Sequence, residues 1–499
     1  MVTSVCARRV SGRCAMAWGS VIAMGLMLVA SGSATAALYS IGTNFTGSDS
    51  VFTNSGFIPP DTMGAVGPSH IGVLINGRWS VYNKNTTPGT LISGMSLNNF
   101  WSTKAGVTPS GSFAFDPRII YDAGSGRWFA GAVDNSGAAN NFLVAVSATN
   151  DPTGSWSGFK IDSDTDNVEW ADFPMMGVNQ DAVVISANMF PVSSGSSSTS
   201  FLVLPKSDLL AGSPTVANRT LFENQSPSNT GFGAQPVFDY TNSSLPLPIL
   251  SAYNKPAGSL KTSSITGTAA SPTLSTAGGF IAVTARSAPP DIDQPGAKVD
   301  IDAGDNRFSG NVIMQQHSWR TNPSLWAAHS VEISGRAAIE WYEIDATTNA
   351  LLQSGTISDP SLAFNYPSIA VNEDGDVVIG YSGGDPSTFI STYVSVGETN
   401  TTTGVTTFDT PDQTQAGLAD YQRLDSINRN RWGDYSATVL DPSNDKHFWT
   451  FQEFVLSTDV WAVQVTEIVI GSTQIPLPGA SAMGLAAMGL MMMRRRPGR

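Results

Sequence analysis

Residues Asp116 to Asn135 carry the pattern from which most of the chain is assembled. Ile119 and Tyr121 alternate with Arg118 and Ile120, Ala123 to Gly126 supply turn chemistry, and Trp128 to Val133 restart an extended run. A two-residue period broken by a glycine-containing turn predicts a strand, a tight turn and a second strand. Relatives of this unit start at Pro60-Asp61, Asp172-Phe173-Pro174, Gln235-Pro236, Tyr366-Pro367 and Gly433-Asp434. A degenerate copy runs from Ile301 to Phe308 and resumes from Ser324 to His329. Anchored on Pro60, Pro117, Pro174, Pro236, Phe308, Pro367 and Tyr435, the copies lie 57 to 72 residues apart.

Most copies are followed by further extended runs, such as Phe142 to Trp156, Phe201 to Leu204, Ala338 to Ile344, Phe389 to Val396 and Val460 to Val465. Three or four strands per unit, repeated around a ring, predict an all-β fold, a β-propeller of about seven blades over residues 56–470. A two-domain array of β-sandwiches is the rival. Residues 37–55, with Leu38, Ile41 and Phe45 as anchors, predict one more strand that would complete the last blade and lock the ring. Serine, threonine, asparagine and glycine punctuate the short apolar runs, and only 13% of residues are charged. Long amphipathic helical patterns are scarce, which agrees with an all-β chain.

The two ends break the pattern. Arg8, Arg9 and Arg13 precede an apolar stretch from Ala15 to Ala30, and Ala34-Thr35-Ala36 fits a small-x-small cleavage site. Residues 1–36 thus read as a signal helix cleaved between Ala36 and Ala37, with an uncleaved membrane anchor as the alternative. Both cysteines, Cys6 and Cys14, lie before that point, so the mature chain would have no disulfide and no cysteine-bound metal. At the other end, residues 471–499 hold Pro476-Leu-Pro478, an apolar run from Ala480 to Met493, and Arg494, Arg495 and Arg496. That run is expected to be a short hydrophobic helix, shorter than the roughly 20 residues a membrane span needs. The arginines would stay cytoplasmic.

Charge narrows the partners. Seven of the 26 basic residues lie in the two terminal segments and no acid does, which leaves 19 basic and 40 acidic residues between them, a formal net charge of −21. Such a body repels nucleic acid and anionic membrane. No phosphate loop is present.

Candidate chemistry is carboxylate chemistry. Asp61, Asp116, Asp172 and Asp434 recur where the repeats start. They either hydrogen-bond turn amides or form a ring of carboxylates at the channel mouth, with Asp116 or Asp172 as a catalytic acid or base. Asp162, Asp164 and Asp166 stand at alternate positions with Glu169 nearby, oxygen ligands of a kind that suits Ca2+; a solvated acidic loop is the alternative. Asp291, Asp293, Asp300, Asp302 and Asp305 form a second acidic cluster. His317, Arg320, Trp326, His329 and Glu340 to Glu343 occur once, and suggest either a sugar-binding surface or blade core. No cofactor other than Ca2+ is expected.

The repeat resembles the sialidase-like and glycosidase-type propellers of exported bacterial proteins, and Asp116-Pro117 is similar to the start of a blade in five-bladed glycoside hydrolases. The resemblance implies a propeller and, in one reading, a carbohydrate-active hydrolase. The C-terminal segment resembles a PEP-CTERM sorting signal, with Pro476 and Pro478 in the motif and Arg494 to Arg496 as its basic end. It implies processing by an exosortase-like enzyme after passage through the export machinery, and delivery to the cell envelope or surface. The expected function is that of a binding or scaffold protein there, with extracellular polysaccharide as a partner; the alternative is hydrolysis of carbohydrate.

Overall fold

The computed structural model describes residues 38–51, 55–253 and 255–471. The expected signal segment, the Ala36–Ala37 cleavage point and the sorting residues Pro476, Pro478 and Arg494 to Arg496 lie outside the described residues. Among the described residues no helix is long and apolar enough to cross a membrane.

The chain is an all-β propeller, built of antiparallel meanders laid down in sequence order. The first comprises Met63–Val66, His70–Ile75, Arg78–Asn83 and Thr90–Ser96. The second is Ala114–Asp122, Arg127–Asp134, Asn141–Ser147 and Trp156–Asp162. The strand–turn–strand read in the sequence is its inner hairpin, with Gly126 at φ 66° closing the turn and Asp122 accepting from the Ser125 N–H. A nine-stranded sheet follows. One part runs outward from Glu169–Val178 through Ala182–Pro191 and Ser198–Pro205 to Thr220–Gln225. The other runs from Ile313–Gln315 through Ser324–Ile333 and Arg336–Asp345 to Leu351–Ile357. The two parts meet only through parallel pairing to the short strand Phe238–Asp239. Gln235–Pro236, Leu247–Ser251, Ser259–Thr268 and Ser271–Ala282 form a separate sheet. Ala363–Val371, Asp376–Asp385, Thr388–Asn400 and Val405–Phe408 form the next.

The last sheet joins the two ends of the body. Ala437–Leu440, His447–Ser457 and Val460–Ile470 are completed by Tyr39–Asp49, which pairs antiparallel with Val460–Ile470. One expectation is corrected. The degenerate copy does not start at Ile301 to Phe308; the innermost strand there is Ile313–Gln315, and Ile301 makes only isolated bridges within loops. The insertion before Ile313 had hidden the register.

Packing explains why inner strands are buried on both faces. Ile119 and Tyr121 belong to one apolar cluster, whereas Ile120 and Phe129 belong to another. Alternate side chains of one strand therefore serve two neighbouring sheets, which requires an almost continuous apolar run. Trp128 shows how tight the contact is. It is fully buried, its indole N–H donates to the Asn150 carbonyl at 2.9 Å, and a Cβ on Gly67 would come within 2.6 Å of its ring.

Candidate functional site

The first strands of the meanders start with a shared irregularity. Pairing slips between Phe115 and Arg118, between Asp172 and Met175, and between Asn365 and Ser368. In each slip one residue takes a left-handed backbone: Asp116 at φ 51°, Phe173 at 51° and Tyr366 at 47°. Asp61, at φ 48°, stands likewise two residues before Met63. Left-handed backbone is strained for aromatic residues and persists only where surroundings hold it. This bulge fixes the true alignment. Asp61, Asp116, Phe173 and Tyr366 share one position, and Asp172 stands one residue earlier. The four aspartates therefore do not recur at a single place. Of these four positions, only the two neighbouring ones at Asp61 and Asp116 carry an acid.

Those two acids touch. The Asp61 and Asp116 carboxyl groups are hydrogen-bonded to each other. Asn76 spans them, donating through Nδ2 to Asp61 Oδ2 and accepting the Asp116 N–H at 2.9 Å. Asp116 Oδ2 also accepts the Phe173 N–H and the Tyr435 hydroxyl, both at 3.1 Å, and Asp61 Oδ1 accepts the Asp434 N–H at 3.1 Å. Burial, followed by the charge of Asp434, pushes Asp61 up to about 7. Burial and the charge of Asp61 push Asp116 well above the usual carboxylate range. Two carboxyl groups in contact cannot both ionise cheaply, so the pair holds a shared proton.

Arg118 lies beneath the pair and is fully buried. Its Nε donates to the Pro174 carbonyl at 2.7 Å, its Nη atoms meet the sulfurs of Met63 and Met175, and its guanidinium stacks 3.6 Å from the Tyr435 ring centroid. Tyr435 thus links a buried cation to Asp116.

Above the pair opens a cavity of about 560 Å³ with two unlike walls. One wall is aromatic. Phe57, Phe113, Phe115, Trp170, Phe190 and Phe232 follow one another in ring contact, with centroid separations of 5.4, 5.5, 6.5, 5.7 and 5.7 Å. All six are partly or well exposed, Phe113 at 38%. The other wall is charged: Asp305, Arg307, Arg429, Arg431 and Asp434. Arg307 pairs with Asp305 at 2.9 Å and lies 3.9 Å from the Phe173 ring centroid. Arg431 pairs with Asp434 at 3.2 Å and approaches Asp302 at 3.8 Å. Arg429 pairs with Asp425 at 2.9 Å.

Asp172 also lines this cavity, partly buried. Burial, then the charges of Asp116 and Asp434, push it up to about 7, against the opposing pull of Arg307. A carboxyl raised in the folded state binds more protons there than in the unfolded chain between about pH 4 and pH 7. Stability therefore falls as pH rises through that window and stays lowered above it. Asp172→Asn removes this penalty. The variant is expected to match the parent in urea titrations at pH 4 and to exceed it by roughly 2 kcal/mol at pH 8, a value reduced for solvent screening. An equal difference at both pH values would contradict the assignment.

The remaining sequence candidates are placed elsewhere. Asp164 is buried, and its Oδ2 accepts the N–H groups of Val168 and Glu169, both at 2.7 Å. Asp162 accepts the Asp164 N–H at 3.2 Å, and Asp166 is exposed and raised by its hydrogen bond to Asp164. Among the described residues no group of three or more His, Asp and Glu side chains is arranged to hold a metal ion, so these three do not form such a group. In the second acidic cluster, Asp291 and Asp293 accept backbone N–H groups of Ala303 and Gln294, and Asp302 accepts that of Gly304. His317, Trp326, His329 and Tyr342 are fully buried, so this region is core and not a sugar-binding surface. A second cavity, of about 530 Å³, is lined by Tyr121, Asp122, Tyr240, Glu373 and Asp441. Asp122 is paired there with Lys206 and Asp441 with Lys84, each at 2.8 Å.

The aromatic wall was missed in the sequence. Its members come from residues 57 to 232 with no fixed spacing. The available signal was the aromatic residues just before the bulge, Phe113 and Phe115 before Asp116 and Trp170 before Phe173.

No protein-family model matches the sequence, and no curated protein matches it. Solved structures with a similar chain course include Trypanosoma rangeli sialidase, 11% identical over 76% of this chain, with a TM-score of 0.33. The match spans 56% of that sialidase chain. Others are a thermostable family-43 glycoside hydrolase, 11% identical over 73% of this chain and 95% of that one, TM-score 0.31, and the Dos1 propeller, 10% identical over 87% and 96%, TM-score 0.34.

Proposed function

We propose that this chain is an exported propeller that binds carbohydrate at the mouth above Asp61 and Asp116. The observation that carries the reading is the two-walled cavity. Exposed aromatic rings bordered by polar groups mark interaction sites, because leaving contiguous apolar surface in water is unfavourable. A sugar ring presents apolar C–H faces and a polar edge of hydroxyls. The Phe57-to-Phe232 wall suits the faces; the carboxyl and guanidinium groups opposite suit the edge. In a glycan panel followed by calorimetry, the parent is expected to bind at least one soluble saccharide. Trp170→Ala is expected to weaken it by about tenfold, or about 1.4 kcal/mol, with little change in melting temperature. Unchanged affinity in that variant would refute the placement.

A second reading, hydrolysis of a glycosidic bond, is favoured by one observation. Asp172 is raised to about 7, apart from the proton-sharing Asp61–Asp116 pair, and a carboxyl poised near neutral pH suits a general acid. Turnover of aryl glycosides that disappears in Asp172→Asn or Asp116→Asn, with folding retained, would establish it; no turnover of any would remove it.

The blade count belongs to the same proposal. We read seven blades, because only the two-residue strand Phe238–Asp239 joins the halves of the nine-stranded sheet. Residues 1–36 would be removed after export, residues 37–55 close the ring, and residues 471–499 act as a sorting segment that holds the chain at the membrane until an exosortase-like enzyme releases it to the envelope or surface. Replacing Pro476 and Pro478 with alanine is then expected to leave unprocessed, membrane-retained protein, and normal processing would count against sorting.

A further inference from the structure

We propose that the mouth takes an uncharged, extended glycan laid along the wall from Phe57 to Phe232, and that it excludes anionic sugars. This rests on the reading of the mouth as a saccharide site and names the class of saccharide.

The length of the occupant follows from the continuity of the wall. One or two ring faces suffice to seat one sugar. Here six rings succeed one another with every separation between 5.4 and 6.5 Å. They come from the loop before Met63–Val66, the start of Ala114–Asp122, the strands Glu169–Val178 and Ala182–Pro191, and the loop before Gln235–Pro236. Four successive parts of the ring thus contribute to one apolar strip, and each contribution remains partly exposed. A strip of that kind is matched by a polymer that repeats the same apolar face. An extended peptide would more naturally pair with a strand edge than lie on ring faces.

The charge of the occupant follows from the opposite wall. Arg307, Arg429 and Arg431 are each paired with an aspartate, Asp305, Asp425 and Asp434 respectively. An anionic sugar would have to displace one of these partners. It would also face Asp61, Asp116 and Asp172, which line the same cavity. Neutral hydroxyls can accept from the guanidinium edges and donate to the carboxylates while the ion pairs stay intact. Like-charge juxtaposition suppresses a wrong partner at a cost of several kcal/mol.

The test is calorimetric titration of the body with neutral hexasaccharides of the cello-, xylo- and manno- series, their disaccharides, and hexagalacturonate. At least one neutral hexasaccharide is expected to bind about tenfold or more tightly than its own disaccharide. Phe113→Ala and Phe190→Ala should each remove most of that advantage. Phe113 is the more exposed position and serves if Phe190→Ala lowers the melting temperature. Hexagalacturonate is expected not to bind at the same concentrations. Equal affinity for hexasaccharide and disaccharide, or tighter binding of hexagalacturonate, would overturn this inference and leave the saccharide reading standing. Absence of binding by every probe would overturn both.

Discussion

A chain lacking residues 38–51 is expected to melt about 10 °C or more below the full chain, or to lose its cooperative transition altogether. The reason is that Tyr39–Asp49 does more than add one strand. Its backbone pairs with Val460–Ile470 from Tyr39 opposite Ile470 to Asp49 opposite Ala462. Its side chains reach the sheets on both sides. Asn44 donates to the Thr414 carbonyl at 3.0 Å, and the Tyr39 hydroxyl meets Asp412. In the other direction, Thr43 and Thr87 hydroxyls lie 3.1 Å apart and the Tyr82 hydroxyl donates to the Gly47 carbonyl. Removing the strand opens an edge on Val460–Ile470 and cuts ties to both neighbours at once. Scanning calorimetry and amide exchange measure this. Lost protection should centre on residues 437–470, and an unchanged melting temperature would show that the ring does not depend on this clasp.

The second large effect separates two substitutions at one residue. Asp116→Ala is expected to destabilise by roughly 3–5 kcal/mol, whereas Asp116→Asn should cost little and gain stability relative to the parent as pH rises. Alanine deprives the Phe173 N–H and the Tyr435 hydroxyl of their shared acceptor, and both groups are buried. It also places a residue that disfavours left-handed backbone at φ 51°. Asparagine tolerates that conformation. It keeps an oxygen for the two donors and offers an N–H to Asp61 where the shared proton now sits. Because the Asp116 carboxyl is raised in the folded state, the parent loses stability as pH climbs above the ordinary carboxylate range. The asparagine variant lacks that loss. Equal destabilisation by both substitutions at pH 7 would show that the pair is not held by a shared proton.

The propeller was legible because its physics is local and repeated. Inner strands serve two neighbours, so runs such as Met175 to Val178 and Ala363 to Val371 are buried throughout, and the turns between strands need Gly, Asn or Asp. Those signals survive in a single sequence. The site was only half legible. Asp116 and Asp172 were marked as carboxylates at a mouth, and the structure brings both to one cavity. Their relationship was misread, because proline sits one residue after the bulge in Asp116-Pro117 and Phe173-Pro174 but before Asp61 in Pro60-Asp61. Aligning on proline puts Phe173 level with Asp116 but sets Asp61 two residues out of register. Grouping acids merely near the strand start placed Asp172 beside Asp116, which hid the fact that acids at the left-handed position are confined to Asp61 and Asp116 among the four. The aromatic wall was illegible for another reason. Its rings meet through the curvature of the ring of sheets, and no interval in the sequence encodes that.

The most direct measurement is a crystal structure of the body grown with the neutral hexasaccharide that binds tightest. Sugar rings lying against Phe113, Phe115, Trp170 and Phe190, with hydroxyls toward Asp172 and Arg307, are the predicted result. Sugar found instead in the cavity lined by Tyr121, Tyr240 and Asp441, or on an outer strand, would contradict the account.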